Sequence, residues 1–179
     1  MSYEKCLKMM LKHEGMDVAT GKTGFVMDPD DNDGGATNYG ITRKTFQDYM
    51  GRDVSIDEMR WMPWESVKAI YRKGYWDRYR CDDMPTEGLS LMVFDFAVNS
   101  GNRSAKILQE IVNTKVDGHI GEKTMKLVKA HDPDFLKEQF HKKRQEFYDY
   151  LAKNGKEKYI RGWTNRNNAV YQEANDLDQ

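Results

Sequence analysis

Apolar residues recur every three or four positions at the start of the chain, which is the spacing of one face of an α-helix. The members of this stripe are Tyr3, Cys6, Leu7, Met10 and Leu11. Glu14 continues the stripe, so the pattern predicts a carboxylate that points toward the core from the last helical turn. Ser2 is the predicted N-cap of this helix and Gly15 its predicted C′ residue.

Helical spacing and capping residues dominate the rest of the chain. Further helices are predicted to begin near Thr42, Ser55, Pro63, Leu89, Ser104, Glu122, Asp132 and Trp163. Ser55 and Glu58 have the spacing of a capping box, and Asp132 followed by Pro133 is a typical helix start. Residues 15–39 are instead polar and glycine-rich, with strand character only near residue 25. The pattern therefore predicts a mainly α protein with a long glycine-rich loop or a small β-hairpin.

Residues 89–98, L-S-L-M-V-F-D-F-A-V, are apolar on nearly every side of a helix. A helix of this kind is central and buried. Asp95 lies inside it and must be hydrogen-bonded or ion-paired, because an unpaired buried carboxylate is too costly. A structural role, in which Asp95 holds a neighbouring helix end or an arginine, is favoured over direct chemistry.

Composition indicates a folded protein of one domain, or of one domain with a small subdomain. The 179 residues are 39% hydrophobic and 32% charged, which allows a sizeable core. Net charge is −1, and no Lys/Arg block exceeds short runs such as residues 142–144. We therefore expect no nucleic-acid binding.

Cys6 and Cys81 cannot form a disulfide framework and are predicted to be reduced thiols in the core. No Cys/His group has zinc spacing, so we expect no metal and no cofactor. The first thirty residues lack the apolar stretch of a signal peptide, and no segment has the length of a membrane span. We expect a protein that stays in the cytoplasm until something releases it.

Aspartates crowd the loop before a compact block, G-G-A-T-N-Y-G-I-T, at residues 34–42. An EF-hand that started at Asp28 would need glycine and glutamate where Asp33 and Tyr39 stand, so that interpretation fails. Solvated turn residues are the simplest alternative. The two glycines permit a tight backbone that brings an aspartate and the Thr37 hydroxyl close to a substrate.

Glu14 and this loop together favour glycosidic bond cleavage. Desolvation and the negative end of the helix dipole are expected to raise the pKa of Glu14, as a general acid requires. A second group, from Asp28, Asp31, Asp33 or Thr37, would position a water or stabilise the oxocarbenium-like centre.

Several motifs resemble glycoside hydrolase family 108, the lysozyme-like N-acetylmuramidases of phage endolysins and some bacterial export systems. The matching segments are His13-Glu14-Gly15, Asp28-Pro29, residues 34–42, Tyr75-Trp76, residues 94–101, residues 116–124 and Arg161-Gly162-Trp163 with Arg166. The likeness covers nearly the whole chain. It implies a lysozyme-like catalytic region at residues 1–100 and a helical peptidoglycan-binding-type region at 101–179, packed into one compact unit.

The resemblance assigns the catalytic glutamate to Glu14, with two departures from the family pattern. Extra residues follow Gly15, and D-P-D-D-N-D-G-G is one residue longer than the pattern, so either Asp31 or Asp33 is the equivalent aspartate. The candidate substrate-binding residues are Asn38, Tyr39, Thr42, Tyr75, Trp76, Asp95 and Asn99. Trp76 is equally typical of a core, and Asn99 of a helix cap.

The resemblance implies a peptidoglycan hydrolase that cleaves the β-1,4 bond between N-acetylmuramic acid and N-acetylglucosamine. A lytic transglycosylase and a non-catalytic wall-binding protein are the alternatives. The expected partners are peptidoglycan glycan strands and a holin-type pore for release, with no membrane binding. We expect a monomeric phage endolysin that leaves the host cytoplasm and acts in the periplasm or cell wall, and a bacterial export role is the alternative.

Overall fold

The computed structural model describes residues 3–27 and 35–179. Contacts divide them into two units, Tyr3–Gly74 and Tyr75–Gln179. The chain is mainly helical with one small antiparallel sheet, which confirms the predicted fold class. Among the described helices, none combines the length and apolar character needed to cross a membrane. The predicted N-cap Ser2 lies outside the described residues.

The first unit combines four helices of the described chain with a three-stranded sheet. Its elements are α1 (Tyr3–His13), β1 (Val26–Met27), β2 (Ala36–Asn38), β3 (Ile41–Thr42), α2 (Arg43–Met50), α3 (Ile56–Arg60) and α4 (Trp64–Tyr71). The predicted apolar stripe of α1 is buried throughout. α1 packs against α4, where the Tyr3 hydroxyl donates to the carbonyl of Lys68 at 2.7 Å.

α1 ends in a Schellman motif. Gly15 adopts the left-handed conformation, φ 77°, and its N–H donates to the carbonyl of Lys12 at 3.0 Å. The N–H of Met16 donates to the carbonyl of Leu11, also at 3.0 Å. The prediction of Gly15 as the C′ residue is therefore confirmed, and Glu14 is the C-cap.

The sheet has the order β1-β2-β3, with both pairs antiparallel. Asn38 pairs with Ile41, so only Tyr39 and Gly40 connect β2 to β3. Both have positive φ, 50° and 70°, as a type I′ hairpin requires. Tyr39 is held in this unfavourable conformation because its carbonyl accepts a 2.8 Å hydrogen bond from the Tyr71 hydroxyl.

The second unit is built around one buried helix. Its helices are α5 (Glu87–Ser100), α6 (Arg103–Ile111), α7 (Glu122–Ala130), α8 (Pro133–Leu151) and α9 (Ile160–Leu177). Residues 88–97 of α5 are all buried, and α6, α8 and α9 pack against it, which confirms the predicted central helix. α9 begins three residues before the predicted start at Trp163, after a short 3-10 turn at Glu157–Tyr159.

Three of the predicted helix starts are confirmed by their caps. Thr42 caps α2, and Ser55 with Glu58 forms a complete capping box on α3. Asp132 caps α8, with Pro133 in its first turn. The two cysteines are buried free thiols, also as predicted.

Asp95 is fully buried and joins three helices of the second unit. Its carboxylate lies 2.7 Å from Arg144 of α8 and 2.6 Å from Arg166 of α9. Burial by itself would raise the pKa of Asp95, but the two guanidiniums outweigh it and hold that pKa below its ordinary value. The structure therefore gives Asp95 the structural role that the sequence favoured.

We expect Asp95→Asn to lower the free energy of unfolding by about 3–5 kcal/mol, because it leaves two guanidiniums without their countercharge. Urea unfolding followed by circular dichroism measures this loss. Asp48→Asn is the matched control, since it removes a carboxylate from the exposed pair with Lys44 and should cost no more than about 0.5 kcal/mol. Equal effects of the two substitutions would contradict the structural role of Asp95.

Candidate active site

Glu14 is exposed at the end of α1. The prediction that its carboxylate points toward the core is wrong. The Schellman motif explains the difference, because the helix ends at Glu14 and the chain reverses at Gly15, which leaves Glu14 exposed and buries Met16. The Glu14 side chain therefore lies at the surface, where a substrate can reach it.

The extra residues after Gly15 form an ordered turn. Asp17 and Lys22 exchange backbone hydrogen bonds of 2.8 and 2.9 Å, and the Asp17 carboxylate accepts from the N–H of Ala19 at 2.9 Å. The carbonyl of Thr23 then accepts from the N–H of Tyr39 at 2.9 Å. This segment consequently links the helix end that carries Glu14 to the β2–β3 hairpin within one unit.

Thr37 lies on the solvent side of the sheet. It pairs with Val26 on one side and with Thr42 on the other, and residues directly opposite each other share a face. Val26 is 61% exposed and Thr42 is exposed, whereas Ala36 on the other face is buried. The half-buried Thr37 therefore presents its hydroxyl on the accessible face of the hairpin.

The other residues of the 34–42 block hold the hairpin in place. Asn38 is fully buried, and its amide nitrogen donates to the carbonyls of Met59 at 2.7 Å and Arg60 at 3.1 Å. Tyr39 is also buried, which raises the pKa of its hydroxyl. Thr42 accepts a hydrogen bond from the N–H of Thr45 as the cap of α2. The predicted substrate contacts of Asn38, Tyr39 and Thr42 stay predictions.

The candidates in the second unit are mostly engaged in its own packing. Trp76 is fully buried, donates to the Asp82 carboxylate at 2.8 Å and lies edge-on to Phe94. Asn99 is exposed, and its amide donates to the carbonyl of Asp95 at 2.7 Å, four residues earlier in α5. Tyr75 is half-buried. Trp76 therefore makes the contacts of a core residue, whereas Gly101 rather than Asn99 is the C-cap of α5, and the predicted substrate contacts of Tyr75, Trp76 and Asn99 stay predictions.

Asp28, Asp31 and Asp33 lie outside the described residues, so the second carboxylate stays a prediction. Within residues 3–27 and 35–179, no His, Cys, Asp and Glu side chains form a group that could hold a metal ion. Of the predicted catalytic residues, Glu14 and Thr37 are the two that lie within the described part of the chain, and their catalytic roles stay predictions.

The sequence analysis missed Trp61, which follows α3 and is 78% exposed. Singly exposed apolar residues are common on protein surfaces, so Trp61 is informative only together with the groove that it lines. The sequence signal for Trp61 was its position just after a short helix with a capping box. Five helical residues are too few to show which side of the helix is buried, so the exposure of Trp61 was not predicted.

Comparisons with known proteins agree with this architecture. The family model described as glycosyl hydrolase 108 matches residues 7–101, and a model described as a predicted peptidoglycan domain matches residues 103–168. The solved structure of SagA from Brucella abortus superimposes with a TM-score of 0.75 at 30% identity, over 99% of this chain and 95% of that one. No curated protein matches the chain.

Along the chain, the border between the two matched regions is near residue 102, whereas the border between the two compact units is between Gly74 and Tyr75. The predicted border at residue 100 stays a prediction. The first match contains both Glu14 and Thr37, and the second begins at the start of α6. The chain belongs to glycosyl hydrolase family 108 and is a glycoside hydrolase that acts on peptidoglycan.

Proposed function

We propose that this chain is an N-acetylmuramidase in which Glu14 is the general acid for cleavage of the β-1,4 bond between N-acetylmuramic acid and N-acetylglucosamine. The main support is the rigid presentation of an exposed carboxyl at the C-cap of α1, inside the family 108 match. Two backbone hydrogen bonds of the Schellman motif fix the position of that helix end.

The proposed reaction uses the Glu14 proton to neutralise the departing sugar oxygen. As the glycosidic bond breaks, positive charge develops at the anomeric carbon, and a water supplies the new hydroxyl while its remaining proton passes to a carboxylate of the site. A glycan seated over the exposed Glu14 carboxyl would bring the glycosidic oxygen within reach of its proton.

Thr37 is the proposed partner of Glu14 among the described residues. Its hydroxyl is both a donor and an acceptor, so it can orient the attacking water. Because the central strand β2 is hydrogen-bonded on both sides, Thr37 has a rigid support. Asp31 or Asp33 is proposed as the carboxylate that stabilises the charged centre, in keeping with the two-carboxylate pattern of glycosidases.

The proposal includes a cell-lysis role as a monomeric phage endolysin that leaves the host cytoplasm through a holin-type pore. Its support is the resemblance of the motifs at residues 13–15 and 34–42 to endolysins of the family. The peptidoglycan domain match at residues 103–168 supports action on the wall itself.

Glu14→Gln should lower the rate of peptidoglycan lysis by at least about a hundredfold, because glutamine cannot donate the proton. Turbidity loss of a purified peptidoglycan suspension measures the rate. Circular dichroism should be unchanged, since the side chain is exposed. Glu65→Gln alters another exposed carboxylate of the first unit and should retain full activity. Lysis by Glu14→Gln at the wild-type rate would refute the proposed mechanism.

Thr37→Val should reduce kcat about tenfold or more and leave thermal stability nearly unchanged, because valine keeps the shape and strand preference of threonine but removes the hydroxyl. Initial rates on solubilised glycan strands provide kcat and KM. The control is Thr20→Val, which changes a threonine in the turn after α1 and should not affect kcat. An unchanged kcat for Thr37→Val would remove Thr37 from the mechanism.

The reaction products distinguish the proposed hydrolysis from the alternative functions. Mass spectrometry of digested peptidoglycan should show fragments that end in reducing N-acetylmuramic acid, because water is the proposed nucleophile. Anhydro-muramic products would instead show a lytic transglycosylase, in which the muramic 6-hydroxyl attacks. Undigested wall with retained binding would show a non-catalytic wall-binding protein.

A further inference from the structure

Trp61 stands beside an open groove in the first unit. The groove has a volume of about 380 Å³, and Met50 and Pro63 continue its apolar surface next to the indole. The indole N–H makes no hydrogen bond with the described residues. Trp61 therefore presents an aromatic face at the surface, together with an indole N–H that has no partner among the described residues.

Charged groups complete the lining of this groove. Asp57 is exposed and its carboxylate has no partner among the described residues. Arg52 and Glu58 lie 2.6 Å apart as an ion pair. The hydrogen bond from Arg52, together with those from Ser55, lowers the pKa of Glu58 to about 2, so the pair stays ionised near neutral pH. The groove therefore combines acceptors, donors and an apolar surface.

The walls of the groove are held rigidly by the hairpin. Asn38 fixes the carbonyls of Met59 and Arg60, which directly precede Trp61. Thr42, at the end of the same hairpin, caps α2, whose last residue, Met50, lines the groove. The hairpin that carries Thr37 thus also positions the Trp61 side of the groove before any ligand binds.

These features match the chemistry of a sugar ring. A pyranose has apolar C–H faces that pack on an aromatic ring, while its hydroxyl and N-acetyl groups need hydrogen-bond donors and acceptors around the edge. In the groove the indole supplies the face, Asp57 supplies an unpaired acceptor, and Arg52 supplies N–H donors. A purely apolar peptide helix would leave the Asp57 carboxylate desolvated and unpaired.

We propose that the groove beside Trp61 is a glycan subsite that binds one sugar ring of a β-1,4-linked N-acetylhexosamine chain. The inference rests on the proposed function, which supplies the class of ligand. It goes further by assigning a binding site to residues outside the Glu14 and Thr37 site. Trp61 would hold the glycan strand while cleavage occurs elsewhere along it.

The test is binding of the tetramer of β-1,4-linked N-acetylglucosamine to the Glu14→Gln protein, which should not cleave it. Isothermal titration gives Kd, and tryptophan emission reports contact with the indole. Adding Trp61→Ala should raise Kd about tenfold and remove most of the emission change, whereas Trp61→Phe, which keeps an aromatic face, should stay within about threefold. Asp57→Asn should weaken binding by a smaller factor.

Tyr150→Ala is the matched control, because it removes another exposed aromatic side chain, 62% exposed and in the second unit. It should leave Kd for the tetramer unchanged. An unchanged Kd and emission response in Trp61→Ala would overturn the glycan subsite and favour a protein partner at the groove. Lysis by Glu14→Gln would instead overturn the proposed function, and the two failures are therefore separable.

Discussion

The hydrogen bonds that Asn38 donates to the carbonyls of Met59 and Arg60 tie the β2–β3 hairpin to α3. They give the carbonyl of Arg60 a partner at the end of α3 and add a second one to the carbonyl of Met59, which also accepts from the N–H of Met62 at 3.4 Å. Leaving the amide nitrogen of the fully buried Asn38 unpaired would cost about 1–3 kcal/mol. At the hairpin turn, the carbonyl of Tyr39 accepts a hydrogen bond from the Tyr71 hydroxyl. At the end of the hairpin, Thr42 caps α2. The first unit is thus organised by polar contacts of one short hairpin.

The second unit is organised by a different interaction, the ion pairs of the buried Asp95 carboxylate with two arginines. Arg144 lies over the ring of Phe96 at 4.8 Å, so its charge is stabilised by an aromatic face as well as by Asp95. Such a cluster requires α8 and α9 to take fixed positions on α5. Its polar groups therefore specify helix packing, whereas the polar groups of the first unit support an accessible surface.

The candidate active-site residues are accessible to solvent, whereas the sequence predicted a buried glutamic acid. Glu14 and Thr37 are presented on rigid supports, the capped end of α1 and the central strand of the sheet. Neither support depends on a ligand. The proposed catalysis therefore relies on the protein to position the Glu14 carboxyl and the Thr37 hydroxyl, and the Trp61 groove would bind the glycan strand.

The sequence by itself determined the helices, their caps and the need for a partner at Asp95, because these depend on residue spacing and on the cost of burying a charge. It also identified Glu14 and the 34–42 block through family motifs. Only the tertiary structure decided that Glu14 faces solvent, that Asn38 is buried and that Trp61 is exposed. Exposure depends on which segments cover a residue, and the chain reversal at Gly15, where the N–H of Met16 donates to the carbonyl of Leu11, is a feature that helical periodicity does not contain.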